Sequence, residues 1–280
     1  MTQIPVKSVV LCADDYALNT PVSQGIVALA LLGRLSATSV MVHSPTWAQD
    51  AVALRDVRDR LDVGLHLDWT SHFAQQAGFG AGLGRVMWRA CMSGLGWGGF
   101  DAQAVRDEIE RQLDAFETHW QAPPDHVDGH QHIQQFAGLR EPLIEVLTRR
   151  YGTQTKRPWL RVSQVAQPGL KSQIISRMGA RPLQHWAQQH GWPVVVPLLG
   201  AYGFDGSLAD YAQHMQGWLH DAPQAEQPAI IMCHPALSAQ ADDDIGLARA
   251  REFAYFASDD FVQHLRDAGV RLVRASETLT

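Results

Sequence analysis

Near the start of the chain, a short apolar run ends in two adjacent carboxylates. Residues 9–13 are all apolar, and Asp14 and Asp15 follow them directly. Because strands buried on both faces are continuously apolar, this run predicts a strand of a parallel sheet or barrel. In such folds ligands bind beyond the carboxyl ends of the strands, so both acids lie where chemistry is expected. One acid could hold a metal ion while the other moves protons; alternatively, one of them only caps the helix that follows.

Helical and strand patterns alternate along the rest of the chain. Thr20 and Pro21 predict a helix start, with Thr20 as the N-cap, and a helical pattern broken at Gly179 and Pro182 covers residues 163–192. Further strands are predicted at residues 38–42, 61–67, 159–162, 193–199, 229–233 and 270–273. Because strand–helix–strand order is typical of parallel crossovers, about eight such strands predict a single (β/α) barrel-like domain over residues 1–280. A doubly wound open sheet is the alternative.

Residues 78–99 are rich in glycine yet apolar, which is unusual for a linker. We therefore expect a lid or a substrate wall in this segment, containing a short helix near residues 86–91. Asp101 then begins an amphipathic helix whose apolar face is predicted to contain Val105, Ile109, Leu113 and Phe116.

The composition argues against several classes of partner. With 23 basic and 29 acidic residues the net charge is −6, and without a basic run nucleic acid binding is not expected. No G-x-G-x-x-G sequence follows a strand pattern, so dinucleotide binding is not expected either.

The three cysteines are widely spaced and mostly embedded in apolar runs, which favours buried reduced thiols and a cytoplasmic protein. Neither a signal peptide nor a membrane-spanning run is expected, and the oligomeric state, a homodimer included, stays open.

Polar side chains follow four of the strand patterns. They are Asp14 with Asp15; His66; the group His126, Asp128, His130 and His132; and His234. In a barrel these strand ends meet at one mouth, where two imidazoles and a carboxylate form a familiar ligand set for a divalent ion. The group from His126 to His132 would place all four of its members on one face if this segment were extended. His66 alone could instead be a buried core histidine, and His234, which precedes Pro235, could be a turn residue.

Four motifs in this order resemble the YdjC-like carbohydrate deacetylase family. They are Ala-Asp-Asp-Tyr at 13–16, Val-Gly-Leu-His-Leu at 63–67, His-Val-Asp-Gly-His-Gln-His at 126–132 and Met-Cys-His-Pro at 232–235. The family includes chitooligosaccharide deacetylases and hopanoid-biosynthesis-associated deacetylase-like proteins, and the resemblance extends from about residue 8 to residue 275. It implies a distorted (β/α) barrel that removes an acetyl group from an N-acetylated sugar. It also implies one divalent metal ion, usually magnesium and sometimes zinc.

The resemblance assigns roles at matching positions of this sequence. Asp15, His66 and His130 match the metal ligands, and Asp14 matches the catalytic base. Given these roles, Asp128 and His132 are expected to orient the ligands, and His234 to protonate the leaving nitrogen. The sequence departs from the family at Tyr16 and Ala17, where Phe-Gly is usual, and residues 69–100 match no family pattern.

Two other functions fit the same residues. A metal-dependent phosphoesterase or amidohydrolase on a similar barrel would use clustered His and Asp residues, often around two metal ions. A sugar-binding protein without catalysis would use Trp69, Trp88 and Trp97 as stacking platforms, with the metal in a structural role.

Overall fold

A computed structural model of the protein describes residues 6–165 and 176–279. In this part of the chain, nine parallel strands form one sheet: β1 (Lys7–Tyr16), β2 (Ala37–Val40), β3 (Asp62–Leu67), β4 (His126–Gly129), β5 (Trp159–Arg161), β6 (Val194–Val195), β7 (Leu198–Leu199), β8 (Ala229–Cys233) and β9 (Val270–Leu272). The strand order is β6-β5-β4-β3-β2-β1-β8-β7, and β9 pairs with the first residues of β1.

The sheet closes into a barrel through residues 194–199. The first half of this segment, β6, pairs with β5, whereas the second half, β7, pairs with β8. Only Val196 and Pro197, joined by a cis peptide bond, separate the two ends of the sheet. The prediction of a distorted (β/α) barrel with mostly parallel strands is therefore confirmed.

Helices surround the barrel. Those in the described residues are α1 (Thr20–Leu31), α2 (Trp47–Arg55), α3 (His72–Gln76), α4 (Leu83–Gly94), α5 (Ala102–Trp120), α6 (Arg140–Tyr151), α7 (Ala180–Gln189), α8 (Leu208–Asp221), α9 (Gly246–Ala257), α10 (Asp259–Asp267) and α11 (Ala275–Thr278), with a 3₁₀ helix at His130–Gln135. Asp101 caps α5, which buries the predicted face of Val105, Ile109, Leu113 and Phe116. Buried residues of α1, α2, α5 and α6 belong to one large apolar cluster that also contains Val9 and Leu11 of β1.

A separate apolar cluster fills the inside of the barrel. It contains Val10, Cys12, Ala37, Trp159, Val195, Leu198, Ile230 and Met232. Val9 and Leu11 belong instead to the cluster beneath the helices. Because successive strand residues point to opposite faces, β1 is apolar on both, as its continuous apolar sequence predicted.

Several local predictions were wrong. The N-cap of α1 is Asn19 rather than Thr20, because the Asn19 side chain accepts a hydrogen bond from the Val22 amide. The single strand predicted at 193–199 is two strands, because residues 194–195 pair with β5 whereas residues 198–199 pair with β8. Helix α9 was not predicted, and Cys91 is exposed rather than buried.

Two predicted helices differ in extent. The helix near residues 86–91 is longer, since α4 covers Leu83–Gly94. Of the helix predicted at 163–192, residues 163–165 are not helical and residues 166–175 lie outside the described residues. Helix α7 begins at Ala180, with Pro182 in its first turn, where proline is tolerated.

Candidate metal and catalytic site

Alternation along the strands determines which polar side chains enter the barrel. On β1, Asp14 points the same way as Val10 and Cys12, which belong to the interior cluster. The same alternation on the neighbouring strands brings further buried polar side chains to this end of the barrel: Ser39, His66, Asp128 and Arg161. Three of the residues predicted to converge, Asp14, His66 and Asp128, therefore meet at one place.

Asp15 reaches the same cavity as Asp14 because β1 contains one extra residue near its end. From Ala13 to Tyr16 β1 advances by three residues, while its partner β2 advances by two, from Thr38 to Val40. Asp15 has a φ of 66°, in the left-handed region that is uncommon for residues other than glycine. A β-bulge thus turns both carboxylates into one cavity. Neither acid is a helix cap, which removes that alternative.

Asp15, His66 and His130 lie close together at the mouth of the barrel. Oδ1 of Asp15 is 3.3 Å from Nε2 of His66 and 3.0 Å from Nδ1 of His130. One ligand atom from each residue lies within 4.8 Å of the others. We call these residues the mouth triad.

The Nδ1 side of the His66 ring, opposite Nε2, is oriented by two further residues. Its Nδ1 is 2.6 Å from Oδ1 of Asp128 and 3.0 Å from the Ser39 hydroxyl. Burial disfavours a charged imidazole, but the carboxylates of Asp128, Asp15 and Asp14 outweigh burial and raise the pKa of His66 to about 10. Without a metal ion, His66 is therefore an imidazolium at neutral pH.

Asp14 forms a two-point ion pair with Arg161. The two guanidinium nitrogens lie 2.6 and 2.9 Å from the two carboxylate oxygens of Asp14, and one of them is also 3.1 Å from Asp128. Burial would raise the pKa of Asp14, but Arg161 and His66 together hold it below its ordinary value. Asp14 is therefore an ionised carboxylate whose orientation is fixed by Arg161.

Asp15 also meets a buried arginine, but only through one oxygen. Arg249 of α9 donates to Oδ2 of Asp15 at 2.7 Å and to Asp243 at 2.6 Å. Although burial would raise the pKa of Asp15, Arg249 and His130 hold it well below its ordinary value. Oδ1 is left facing the two imidazoles.

His234 follows β8 and faces Asp14 across the cavity. Its Nε2 is 3.9 Å from Oδ2 of Asp14, which is too long for a direct hydrogen bond. The backbone N–H of His234 donates to Glu252 of α9, which also accepts from the Tyr202 hydroxyl at 2.7 Å. Burial lowers the pKa of His234 to about 4, so the ring is neutral at pH 7.

The four polar residues from His126 to His132 do not share one face, contrary to the prediction. The extended conformation ends at Gly129, and Gln131 and His132 have φ of 55° and 63°. His132 bonds the Ser163 hydroxyl at 2.9 Å, and burial lowers the pKa of His132 to about 3. His126 lies deeper, stacked on Trp159, where a Cβ atom at position 64 would come within 2.3 Å of its ring. Gly64 in the Val-Gly-Leu-His motif makes room for His126.

A cavity of about 890 Å³ is lined by the residues of the mouth triad together with Asp14, His132, His234 and Arg249. Leu83 and Met87 of α4 contribute to its wall, so the glycine-rich segment does border the cavity. The tryptophans proposed as stacking platforms do not line it: Trp69 is 3% exposed and packs against Phe79. Trp88 and Trp97 are exposed elsewhere on the surface.

The residues of the mouth triad fit a divalent cation by charge and by donor atoms. Nε2 of His66 is buried, and within the described ranges 6–165 and 176–279 no acceptor has hydrogen-bond geometry toward it, although Oδ1 of Asp15 lies 3.3 Å away. The carboxylates of Asp14, Asp15 and Asp128 face only two buried guanidiniums, so one negative charge is left for a cation or a proton to neutralise. A carboxylate oxygen and two imidazole nitrogens are donors that zinc and similar ions accept.

Comparison with known proteins gives one family that matches nearly the whole chain. The sequence matches the family described as YdjC-like protein over residues 8–267. The chain belongs to the YdjC-like family. Among similar proteins, a chitooligosaccharide deacetylase of Serratia marcescens is 27% identical over 82% of each chain. One of Yersinia pestis strain Pestoides F is 25% identical over 95% of this chain and 97% of its own.

Solved structures share the fold of this YdjC-like protein. A crystal structure from Enterococcus faecalis V583, whose name proposes cellobiose-phosphate cleavage, has a TM-score of 0.72, with 18% identity over 98% of this chain and 100% of that chain. A peptidoglycan N-acetylglucosamine deacetylase has a TM-score of 0.52, with 9% identity over 97% and 87% of the two chains. In the described part of the protein, we find no helix with the length and apolarity needed to cross a membrane.

Sequence reasoning missed three charged residues of the site. Arg161 occupies an inward position of a predicted strand, and alternation from Trp159 could have found it. Arg249 and Glu252 are three residues apart on α9, the helix that the sequence did not predict. The sequence left the roles of His43 and His72 open, since both fall near strand ends. His72 lines the cavity, whereas His43 bonds Glu108 at 2.9 Å.

Proposed function

We propose that this protein is a metal-dependent carbohydrate deacetylase that hydrolyses the acetamide of an N-acetylated sugar. One observation carries the proposal: the mouth triad, the Asp14–Arg161 pair and His234 face one another across a single cavity. Amide hydrolysis needs these three functions, namely carbonyl polarisation, a base for water and an acid for the departing amine. The chitooligosaccharide deacetylases among its relatives support the substrate class.

Asp15, His66 and His130 would hold the ion. A bound divalent ion would polarise the acetyl carbonyl and make water a better nucleophile. Two imidazoles favour zinc or a similar transition metal, whereas magnesium, which the family resemblance suggests, prefers oxygen ligands. Asp128 contributes by fixing the orientation of the His66 ring, so that Nε2 faces the mouth.

Asp14 acts as the base in this proposal. Arg161 keeps it ionised and immobile, so its carboxylate is ready to accept a proton from the attacking water. The same ion pair makes Asp14 a weak base that gives the proton up readily.

His234 acts as the acid. Because its pKa is lowered to about 4, the ring at pH 7 is a neutral imidazole that lacks the second proton of the imidazolium before the reaction. The proton that it donates to the leaving nitrogen must therefore arrive during turnover, and Asp14, 3.9 Å away, is the nearest carboxylate to supply it. Glu252 fixes the backbone of His234 and so the direction of the ring.

The rival functions have less support. Among the described residues, the two other groups that could hold an ion, Asp14–His66–Asp128 and Cys12–His126–Asp128, both need Asp128, and the Arg161 guanidinium already lies 3.1 Å from that carboxylate. A phosphoesterase with two metal ions is therefore disfavoured. A sugar-binding role without catalysis loses its stacking residues, since none of the three tryptophans lines the cavity.

The test is acetate release from N-acetylated chitooligosaccharides by protein loaded with zinc or magnesium. We expect turnover that chelation abolishes and metal restores, with one ion per chain by elemental analysis. His234→Ala is expected to lose roughly 10²-fold or more in kcat, as for a general acid, while keeping its metal. Tight glycan binding without acetate release would contradict the enzymatic proposal, and two ions per chain would favour the phosphoesterase.

A further inference from the structure

The outer surface around α4 carries the most exposed tryptophans of the protein. All nine tryptophans lie in the described residues. Trp88 and Trp97 are 61% and 72% exposed, and Leu95 beside them is 60% exposed. The other tryptophans are buried or half-buried. Large apolar side chains so concentrated on a surface mark a site of interaction.

Helix α4 is apolar on two opposite faces. Val86 and Ala90 are buried against the barrel, and Leu83 and Met87 reach the cavity. Trp88, Cys91 and Leu95 recur at spacings of three and four residues on the exposed side. A helix at a protein surface normally turns a polar face to water, so in the described part of the chain the exposed apolar face of α4 has no covering partner.

The charge of this segment differs from that of the rest of the chain. Residues 78–100 contain Arg85 and Arg89 and no acidic residue, whereas the whole chain has a net charge of −6. Arg89 donates to the Gly99 carbonyl and stacks on Phe100 at 4.2 Å. Arg85 is exposed, and among residues 6–165 and 176–279 it has no carboxylate within salt-bridge distance. The partner that fits this surface is therefore apolar and negatively charged.

Two partners could cover this apolar surface, a second copy of the chain and an anionic lipid membrane, and they differ in charge. A second copy of the chain related by a twofold axis would place the same arginines against each other, with no acid in the segment to pair with them. An anionic lipid surface offers negative charge above an apolar layer. Tryptophan prefers such a boundary, because its ring is apolar while its N–H can bond to water or head groups.

We propose that Trp88, Leu95, Trp97 and Arg85, called here the α4 patch, dock the protein on an anionic membrane surface. Trp97 lies between Gly96 and Gly98, both in left-handed conformations, so it projects from a tight turn beyond the helix. Arg85 adds attraction to anionic head groups. The proposal does not rest on the enzymatic function.

The experiment is co-sedimentation of the whole protein with vesicles. Equal parts of phosphatidylcholine and phosphatidylglycerol form one vesicle, and phosphatidylcholine alone forms the other. We expect binding to the anionic vesicle that weakens with added salt. Trp88→Ala with Trp97→Ala should reduce binding by roughly tenfold or more. Arg85→Gln should reduce it about fivefold, which corresponds to about 1 kcal/mol per basic residue near an anionic surface.

The matched control is Leu31→Ala with Leu32→Ala, two side chains that are each 54% exposed at the end of α1. This control should bind vesicles like the parent protein, and circular dichroism should show every variant folded. Absence of binding to anionic vesicles, or equal loss in the control, would overturn the proposal. A dimer in size-exclusion chromatography that the double tryptophan variant abolishes, without vesicle binding, would assign the α4 patch to a second copy instead.

Discussion

The two adjacent carboxylates at the end of β1 each face a buried arginine, and they differ in how much of the carboxylate the arginine occupies. Arg161 binds both oxygens of Asp14, whereas Arg249 binds only Oδ2 of Asp15 and leaves Oδ1 to two imidazoles. The Asp14 side is thus a closed ion pair, while the Asp15 side has an oxygen available for a cation. Neighbouring residues of one type therefore acquire different roles from the partners that the fold brings to them.

The largest effect is expected from matched changes of the two acids. Asp15→Asn removes an anionic ligand, so metal and activity should be lost together. Asp14→Asn should keep the metal and reduce kcat by roughly 10²–10⁴-fold, because an amide cannot accept the proton from water. Elemental analysis alongside acetate release separates the two. Equal metal loss in both variants would show that the acids do not divide the roles.

Replacing each arginine in turn should show how differently the two ion pairs contribute to the free energy of unfolding. Arg161→Met leaves Asp14 and Asp128 without their shared cation, and we expect the free energy of unfolding to fall by about 3–5 kcal/mol. Arg249→Met should cost less, because its partner Asp243 is partly exposed. Zinc should restore stability in Arg249→Met more than in Arg161→Met, since only Asp15 is a proposed ligand. Urea denaturation with and without zinc measures the unfolding free energy of each variant. An equal gain in stability with zinc in both variants would contradict the proposed difference between Asp14 and Asp15.

Metal binding should compete with a proton on His66. Because the pKa of His66 is raised to about 10, the ion must displace a proton from it at pH 7. Apparent affinity should therefore rise by up to about tenfold per pH unit below that pKa. Isothermal titration calorimetry in buffers of different ionisation enthalpy should detect about one proton released. Release that is unchanged in His66→Asn would place the proton elsewhere.

The smallest effects concern pH and the stability of the metal-free protein. The raised pKa of His66 contributes stability that is complete below about pH 6.5, the ordinary histidine value, and is lost as the pH rises towards 10. The pKa of His132 is lowered to about 3, so its contribution is present above about pH 6.5 and is lost on acidification. His132→Asn should therefore flatten the loss of stability between pH 6.5 and 4 by at most about 1.4 kcal/mol per pH unit. Urea denaturation at these pH values checks this, and an unchanged slope would be the contrary result.

The strand ends could be predicted from the sequence because local patterns determine them. Continuous apolar runs ending in polar residues located Asp14, Asp15, His66 and His234 at one mouth, since parallel strands place their carboxyl ends together. The arginine partners could not be found in this way. Arg161 is 147 residues from Asp14, and Arg249 is 234 residues from Asp15, so these pairs depend on the closed barrel.

Local backbone conformations also could not be predicted from the pattern of apolar and polar residues. An extended segment would have placed His130 and His132 together, but left-handed conformations at Gln131 and His132 separate them. Nothing in the alternation of residues signals such a turn. The division of residues 194–199 into two strands likewise follows from which neighbours each half meets, on opposite sides of the closing barrel.

The bulge at Asp15 makes the site sensitive to chain length. The ladder between β1 and β2 tolerates one unmatched residue there, and that residue is the proposed metal ligand. A deletion of one residue at this point would restore regular pairing and leave a single inward acid, with the barrel itself intact. An insertion or deletion in the Asp-Asp dipeptide is therefore a single change that could abolish the proposed activity while the barrel stays folded. Homologous chains that differ in length at this point should differ in function.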